Sequence, residues 1–315
     1  MAGNRIIAVV GATGAQGNGL CKAILGDPDG GFLCRAITRN PQSHRAKALA
    51  AMGAEIVAAD LDDEASLIKA FGGAHGVFGV TDFVELSSVE REQRQATNIA
   101  HAAKAASAAH VIWSTLDDTT QWLSLGDERM PTLEGKYKCP HSDSKGQIDH
   151  VFTDLGLPVT FFLTCFYWDN FYNHGWGPKK IGDGRYALTL PIGRAKMPGI
   201  AAEDIGQCAY GLFRSGAAYI GQRVGIAGEH LSGAGMAETF GAALGINCAF
   251  DPMSADAYRK LGFPGADDLG NMFQIFDEFE PQYRASRSVK AARALVPSLM
   301  NFDQWLAKYK AMIPL

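Results

Sequence analysis

A glycine-rich segment at residues 11–17 constrains this chain more than any other feature. It reads GATGAQG, directly follows the apolar run Ile6–Val10, and leads into an amphipathic stretch. The apolar face of that stretch carries Leu20, Ile24 and Leu25. This order predicts a strand, a tight turn and a helix. Because glycines let the backbone turn sharply and the helix N-terminus offers free N–H groups to a pyrophosphate, the segment predicts a dinucleotide-binding loop.

The residue after the second strand indicates which dinucleotide binds. Sites for NAD usually place an Asp or Glu there to bind the ribose 2′-hydroxyl, whereas an arginine accommodates the 2′-phosphate of NADP. The predicted second strand, Phe32–Thr38, is followed by Arg39 rather than by an acid, with Arg45 and Lys47 close behind. A guanidinium grips a phosphate through two charge-assisted bonds. We therefore expect NADP(H) as the cofactor, the alternative being that Arg39 is an ordinary solvated arginine.

Strands and helices alternate through the first half of the chain, which predicts a parallel sheet with helices on both faces. The strands are expected at 6–10, 32–38, 55–59, 76–80, 111–113 and 159–164, and the helices near 15–26, 43–52, 88–107 and 142–155. The predicted fold class is α/β, a Rossmann-type doubly wound parallel sheet with a smaller mixed C-terminal lobe. We place an NADP-binding domain at 1–165 and a smaller substrate or partner lobe at 166–315.

Several polar residues and one glycine stand at the predicted carboxyl ends of the strands, namely Gly11, Arg39, Asp60, Thr81 and Ser114. Ligands of open α/β sheets bind beyond those ends, so we expect one crevice to gather these residues. The polar, irregular stretch 115–140 is long for a loop, and such loops are usually functional or mobile.

Charge and composition exclude several classes of function. The chain has 315 residues, with 29 Lys and Arg against 33 Asp and Glu, and this near balance disfavours direct nucleic-acid binding. A basic stripe at 284, 287, 290 and 293 is interpreted as a solvated helix edge. The most apolar stretch, Val159–Trp168, is shorter than the roughly 20 residues of a membrane span. We therefore expect no membrane contact, no signal peptide and a cytoplasmic location.

The six cysteines, at positions 21, 34, 139, 165, 208 and 248, form no CxxC pair and have no His-rich partner. They are interpreted as buried small apolar residues in a reducing compartment. On this basis we expect neither a disulfide framework nor a metal site.

Several motifs together resemble the NmrA-like family of atypical short-chain dehydrogenase/reductases. They are GATGAQG at 11–17, TRNP at 38–41, the run GAEIV to DD within 53–63, VT at 80–81, DSKG at 143–146, LP at 157–158, LGFPGA at 261–266, NMF at 271–273 and FDQWL at 302–306. The resemblance spans nearly the whole chain. Its glycine motif is shared by many families, whereas the Gly-Phe-Pro-Gly and lysine segments are more particular.

The resemblance implies which residues contact NADP(H). They are Gly11, Ala12, Thr13, Gly14, Ala15, Gln16, Gly17, Arg39, Asn40, Ser43, Asp60, Leu61, Thr81, Arg94, Lys145, Cys165, Phe166 and Tyr167. Arg94 keeps a positive charge where a member of this family has lysine. Ser43 replaces another lysine, which removes one contact to the 2′-phosphate, and Arg45 or Lys47 would replace that contact. The resemblance also implies a protein that reports the NADPH/NADP⁺ ratio by changing its shape or its partner.

Catalysis in short-chain dehydrogenases depends on Ser, Tyr and Lys, with the last two spaced as YxxxK. Ser114 and Lys145 stand where the serine and lysine belong, but His141 replaces the tyrosine, and Tyr137 is expected in the preceding loop. Two interpretations stay open. Either proton donation is lost and Lys145 only anchors the cofactor of a sensor, or His141 or Lys145 donates a proton to a small carbonyl or quinone-like substrate. The missing tyrosine favours sensing.

A helical apolar pattern in the C-terminal half bears on this choice, and it consists of Leu269, Met272, Phe273 and Phe276. Core packing is its default explanation. Alternatively, its two phenylalanines wall an apolar pocket together with Trp168 and Phe171. A third interpretation is a docking surface for a partner protein or for the second copy of a homodimer.

Overall fold

The computed structural model describes residues 5–315, apart from the side chains of residues 84 and 86, and forms two compact units. The first unit comprises the described residues up to Asp117, Ser144–Thr164 and Ala202–Val224, and the second comprises Asp118–Asp143, Cys165–Ala201 and Gly225–Leu315. The sequence instead predicts one boundary at residue 165. The difference arises because residues 202–224 return to the first unit and residues 118–143 leave it.

The secondary structure confirms the predicted alternation, with ends shifted by one or two residues. The strands are β1 (Arg5–Val9), β2 (Phe32–Thr38), β3 (Glu55–Ala58), β4 (Gly76–Gly79), β5 (His110–Thr115), β6 (Val159–Leu163), β7 (Phe166–Tyr167), β8 (Lys179–Gly182), β9 (Arg185–Leu188), β10 (Lys196–Ile200), β11 (Arg223–Gly225), β12 (Glu229–Ser232) and β13 (Asn247–Phe250). The α-helices are α1 (Ala15–Leu25), α2 (His44–Ala51), α3 (Glu64–Phe71), α4 (Phe83–Leu86), α5 (Val89–Ala105), α6 (Pro140–Asp154), α7 (Asn170–Asn173), α8 (Ala202–Arg214), α9 (Gly233–Leu244), α10 (Ala255–Arg259), α11 (Ala266–Glu278), α12 (Glu280–Ala285), α13 (Val289–Leu295) and α14 (Phe302–Tyr309). Within residues 5–315, no helix combines the length and the apolar character that crossing a membrane requires.

The first unit is built on a seven-stranded sheet of order β11-β6-β5-β4-β1-β2-β3. Its pairs from β3 through β6 are all parallel. The chain moves from β1 outward to β2 and β3, then crosses back to β4 on the other side of β1. Such a switch in strand order leaves a crevice beyond the carboxyl ends of the strands, where ligands of this fold class bind. The predicted Rossmann-type sheet is therefore confirmed.

Helix α8 brings a distant part of the chain into the first unit by packing on α1. Gly206 lies so close to the α1 backbone that a Cβ there would overlap Gly19 and the amide of Leu20. Farther along α8, the Tyr210 hydroxyl donates to Asp27 at 2.8 Å. The small residues allow the two helices to approach backbone to backbone, which fixes residues 202–214 against the helix that follows the glycine-rich loop.

The second unit combines two three-stranded sheets, β12-β10-β7 and β13-β9-β8, with an aromatic core. Trp168, Phe171, Phe273, Phe302 and Trp305 are each at most 1% exposed and belong to this core. Burying one such side chain contributes about 1.5–3 kcal/mol. Core packing therefore explains the apolar pattern of α11, and Trp168 and Phe171 are core residues rather than walls of an apolar pocket.

The prediction of a solvated basic helix edge is wrong for Arg287. Arg287 is fully buried, between α12 and α13, and its guanidinium lies 3.9 Å from the ring centroid of Tyr283. The ring face attracts the cation, and a guanidinium is more weakly hydrated than an ammonium. Burial of this residue leaves the stripe discontinuous.

Candidate functional site

The glycine-rich loop after β1 forms a close backbone turn. Gly11 has a φ of +62°, and its carbonyl oxygen accepts the N–H of Gly14 at 2.8 Å. A Cβ at Gly17 would overlap that same carbonyl, so only glycine allows α1 to start this close to β1. Helix α1 has no side-chain cap at Gly14 and no acid in its first turn, which leaves its N-terminal amides and its positive dipole end suited to an anion.

Other residues of the loop are held by the neighbouring strands. The Ala12 amide donates to Ile37 of β2 at 3.4 Å. The Ser114 hydroxyl, at the end of β5, donates to the buried Gln16 side chain at 2.9 Å. Ser114 therefore lies beside the loop as predicted, and in this structure its proton holds Gln16 in place.

Arg39 follows β2 and is paired with Glu85 of α4. Both guanidinium nitrogens bind the Glu85 carboxylate, with Nη2 at 2.7 Å from Oε2. Hydrogen bonding to Glu85 raises the pKa of Arg39, and the same bonds lower the pKa of Glu85. Asp60 and Asp82 add negative charge around the guanidinium. No sequence pattern pointed to Glu85, because α4 is a single turn without an amphipathic pattern.

The residues after Arg39 shape the start of α2. The Asn40 carboxamide accepts the N–H of Gln42 at 3.0 Å, and Ser43 is the N-cap of α2, accepting the N–H of Ala46 at 3.2 Å. Arg45 reaches the glycine-rich loop, where Nη1 donates to the Thr13 carbonyl at 2.9 Å. The structure thus brings Arg45 to the loop, whereas the Asn40 and Ser43 side chains satisfy backbone amides.

A second charged group lies after β3. Arg91 and Arg94 both face Asp62, at 2.6 and 3.6 Å, and these contacts, the Arg91 hydrogen bonds foremost, lower the pKa of Asp62. The Leu61 carbonyl accepts Asn98 Nδ2 at 2.8 Å, and Asp60 accepts the N–H of Asp62. Asp60 and Leu61 therefore lie in this turn, Arg94 contacts it through Asp62, and the negative charge of Asp62 offsets the two arginines.

Lys145 lies in a buried polar cluster of the first unit. Its Nζ contacts the Thr81 carbonyl at 3.0 Å, the Thr81 hydroxyl at 2.5 Å and Glu92 Oε1 at 2.8 Å. Glu92 is fully buried and also accepts from Thr81 at 2.7 Å and from Ser144. The Lys145 ammonium therefore has three acceptors within the protein. The sequence did not indicate Glu92, because a glutamate on a helix is usually solvated.

His141 is turned toward a carboxylate of the second unit. Its Nδ1 lies 2.8 Å from Asp268 Oδ2 on α11 and 3.6 Å from the Cys139 thiol. Burial, reinforced by the charges of Asp268 and Asp143, raises the pKa of Cys139 well above its usual range. Tyr137 is buried in the segment before α6, where its backbone pairs with Leu133. Tyr137 therefore lies outside the helix, as predicted.

Cys165, Phe166 and Tyr167 belong to the second unit. The first two are buried, and Phe166 and Tyr167 form β7, which pairs with β10. Burial raises the pKa of the Cys165 thiol, which keeps it protonated.

The amino-acid sequence matches the NmrA-like family over residues 3–306. A protein of Malbranchea aurantiaca described as an NmrA-like family domain-containing oxidoreductase is 27% identical over 329 aligned positions, which cover 97% of each chain. A protein of Aspergillus hancockii with the same description is 29% identical and aligns over 86% of this chain and 82% of its own.

Solved structures show the same fold. NmrA, a negative transcriptional regulator, superposes with a TM-score of 0.80 as its NAD complex and 0.78 as its NADP complex. Each NmrA structure is 22% identical, and the match covers 97% of this chain and 95% of the NmrA chain.

Proposed function

This chain belongs to the NmrA-like family, and from that premise we propose that it is an NADP(H)-binding redox sensor that responds to the NADPH/NADP⁺ ratio. The cofactor would lie on the first unit, with its pyrophosphate at the glycine-rich loop and the α1 N-terminus. The observation that carries the proposal is the pairing of an intact cofactor loop with a lysine and a histidine whose side chains are already engaged by acids.

The loop and Arg39 support NADP(H) as the ligand. A Cβ at Gly17 would overlap the Gly11 carbonyl, so this glycine allows the close helix–strand packing that is typical of dinucleotide-binding turns. Arg39 occupies the position where an NAD site has an acid that binds the ribose 2′-hydroxyl. Arg45 contacts the glycine-rich loop at the Thr13 carbonyl. NmrA itself has been solved with either NAD or NADP, so the choice for this chain depends on its own arginines.

Lys145 and His141 support sensing over catalysis. A proton donor needs a free path to the reacting atom, but the His141 ring is bound to Asp268 and the Lys145 protons are directed at Thr81 and Glu92. The regulator role would then proceed through a protein partner or a second copy of this chain that distinguishes the NADPH form from the NADP⁺ form.

A reductase is the second candidate function, and the descriptions of the fungal relatives favour it. In that case Lys145 or His141 would supply a proton to a small carbonyl or quinone-like substrate while the nicotinamide supplies hydride. The contact of His141 with Asp268 is compatible with this role if substrate binding turns the ring away.

The experiment that separates the two candidates combines NADPH binding with NADPH oxidation. Purified protein is mixed with NADPH and a panel of quinones and aldehydes, and the variants Lys145→Ala and His141→Ala are compared with His150→Ala, an exposed histidine of the same helix. We expect NADPH binding in calorimetry with little oxidation. Rapid oxidation that disappears in the first two variants, while NADPH still binds and His150→Ala stays active, would overturn the sensor proposal.

A further inference from the structure

Three metal-ligating side chains meet in the second unit, outside the cofactor loop. Cys139 Sγ lies 3.6 Å from His141 Nδ1, which lies 2.8 Å from Asp268 Oδ2, and the ligand atoms of the three all fall within 4.8 Å of one another. Cys139 is buried, whereas the His141 and Asp268 side chains are 19% and 13% exposed and leave a route from solvent. The first two residues lie 127 or more positions before Asp268 in the chain.

We propose that Cys139, His141 and Asp268 bind one divalent cation of the zinc class. Thiolate, imidazole and carboxylate form a donor set that zinc prefers. Tetrahedral bonds of about 2.3 Å to sulfur and about 2.0 Å to nitrogen place those two atoms about 3.5 Å apart, close to the 3.6 Å between Cys139 Sγ and His141 Nδ1. The distance between His141 Nδ1 and Asp268 Oδ2 need only increase from 2.8 Å to about 3.3 Å.

Asp268 supplies an independent observation. Its Oδ1 is buried and makes no hydrogen bond within the described residues, whereas its Oδ2 contacts both the ring and the backbone N–H of His141. A buried carboxylate oxygen without a partner is costly, and a cation satisfies it. The charges also balance, because a divalent cation neutralises one thiolate and one carboxylate once the thiol proton has passed to solvent.

The segments that carry the ligands are held in place by their surroundings. Asp143 accepts the N–H groups of Lys138 and Cys139 at 2.9 Å and both the N–H and hydroxyl of Thr119 at 2.7 Å. Asn271, one turn after Asp268 on α11, donates to the Lys138 carbonyl at 2.5 Å. Outer contacts of this kind orient ligands before the metal arrives.

Cobalt(II) is the probe for this site, because a thiolate bound to it gives a sulfur-to-metal absorption band in the near ultraviolet. The full chain is reduced, freed of metal with a chelator and titrated with Co²⁺ in the absence of any nucleotide. We expect one Co²⁺ per chain with the thiolate band, displaced by Zn²⁺. Cys139→Ser should remove the band, and Asp268→Asn should weaken Co²⁺ affinity by about 100-fold or more.

The matched control is Cys248→Ser, which removes the partly exposed cysteine of the same unit and should leave the band unchanged. A second measurement needs no variant: Zn²⁺ should protect Cys139 from alkylation in the wild-type chain, read by mass spectrometry of the modified peptide. A titration without a thiolate band, a band that persists in Cys139→Ser, or alkylation of Cys139 unaffected by Zn²⁺ would overturn the proposal. Since nucleotide is absent, these outcomes are independent of the cofactor proposal.

Discussion

Glu85 gives Arg39 an internal partner at the position where a 2′-phosphate would bind. The pair is about half exposed on both sides, so solvent screens it and it contributes little to stability. A bound phosphate nevertheless has to displace a carboxylate that holds both guanidinium nitrogens. If NADP(H) binds as proposed, Glu85 would lower its affinity relative to an Arg39 without this partner.

We predict opposite effects for the two members of this pair. Glu85→Gln should tighten NADPH about two- to five-fold, because an exposed ion pair is worth less than about 1 kcal/mol. Arg39→Ala should weaken NADPH about tenfold or more while changing NADH little, because a charge-assisted bond to the 2′-phosphate is lost. Isothermal calorimetry measures both, with Arg129→Ala, an exposed arginine of the second unit, as control. If Arg39→Ala weakened the binding of NADPH and NADH equally, Arg39 would not bind the 2′-phosphate.

At the scale of elements, β5 and β6 are joined by a buried histidine as well as by their backbone ladder. His110 Nε2 lies 2.8 Å from the Thr160 hydroxyl, which itself donates to the Tyr219 carbonyl at 2.8 Å. The hydroxyl proton is thus committed to the Tyr219 carbonyl, so Nε2 of His110 carries the hydrogen in this contact. Burial, followed by the charge of His75, lowers the pKa of His110 to about 4.

This burial predicts a loss of stability at mildly acidic pH. Between the ordinary histidine pKa of about 6.5 and the folded value of about 4, the unfolded chain binds the additional proton, so the free energy of unfolding falls as pH falls. His110 should contribute a loss of about 2 kcal/mol between pH 7 and pH 5 in urea unfolding. His110→Gln should flatten that slope, and His150→Gln should not. The same slope in His110→Gln and wild type would contradict the assignment.

For the whole molecule, the decisive feature is that each unit is assembled from separate stretches of chain. Residues 202–224 complete the first unit, whereas residues 118–143 join the second. The long polar segment before α6, for which the sequence predicts a functional or mobile loop, is held by hydrogen bonds. Lys138 Nζ donates to two of its carbonyls, and Asn271 donates to two more. Contacts between residues distant in sequence hold each unit together.

A substitution at Gly206 tests whether α8 packs closely against α1. Gly206→Ala places a methyl group against the α1 backbone, which cannot retreat as a flexible side chain would. We expect the midpoint of thermal unfolding to drop, with a loss of about 1–3 kcal/mol. Gly126→Ala is the control, because a Cβ there meets no atom within 4 Å. A Gly206→Ala protein as stable as the control would mean that α8 does not pack against α1 this closely.

Much of the fold, including the glycine-rich loop, followed from local sequence pattern. The alternation of apolar strands and helices, the glycines at 11 and 17 and the arginine after β2 are readable because each depends on neighbours along the chain. The predicted Rossmann-type sheet is confirmed by its strand order and register.

Only the tertiary structure decided which charges meet. Glu85 lies 46 residues from Arg39, Ser144 lies 52 from Glu92, and Asp268 lies 127 from His141, so no spacing in the sequence relates them. The same holds for Cys139, which has no CxxC neighbour yet lies beside His141 and Asp268, the other two residues of the proposed cation site. By itself the sequence determined the sheet and its glycine turn, since these arise from short-range backbone preferences. The partners of the buried and half-buried charges follow only from the tertiary structure, because burial and ion pairing depend on distance in space and not on distance along the sequence.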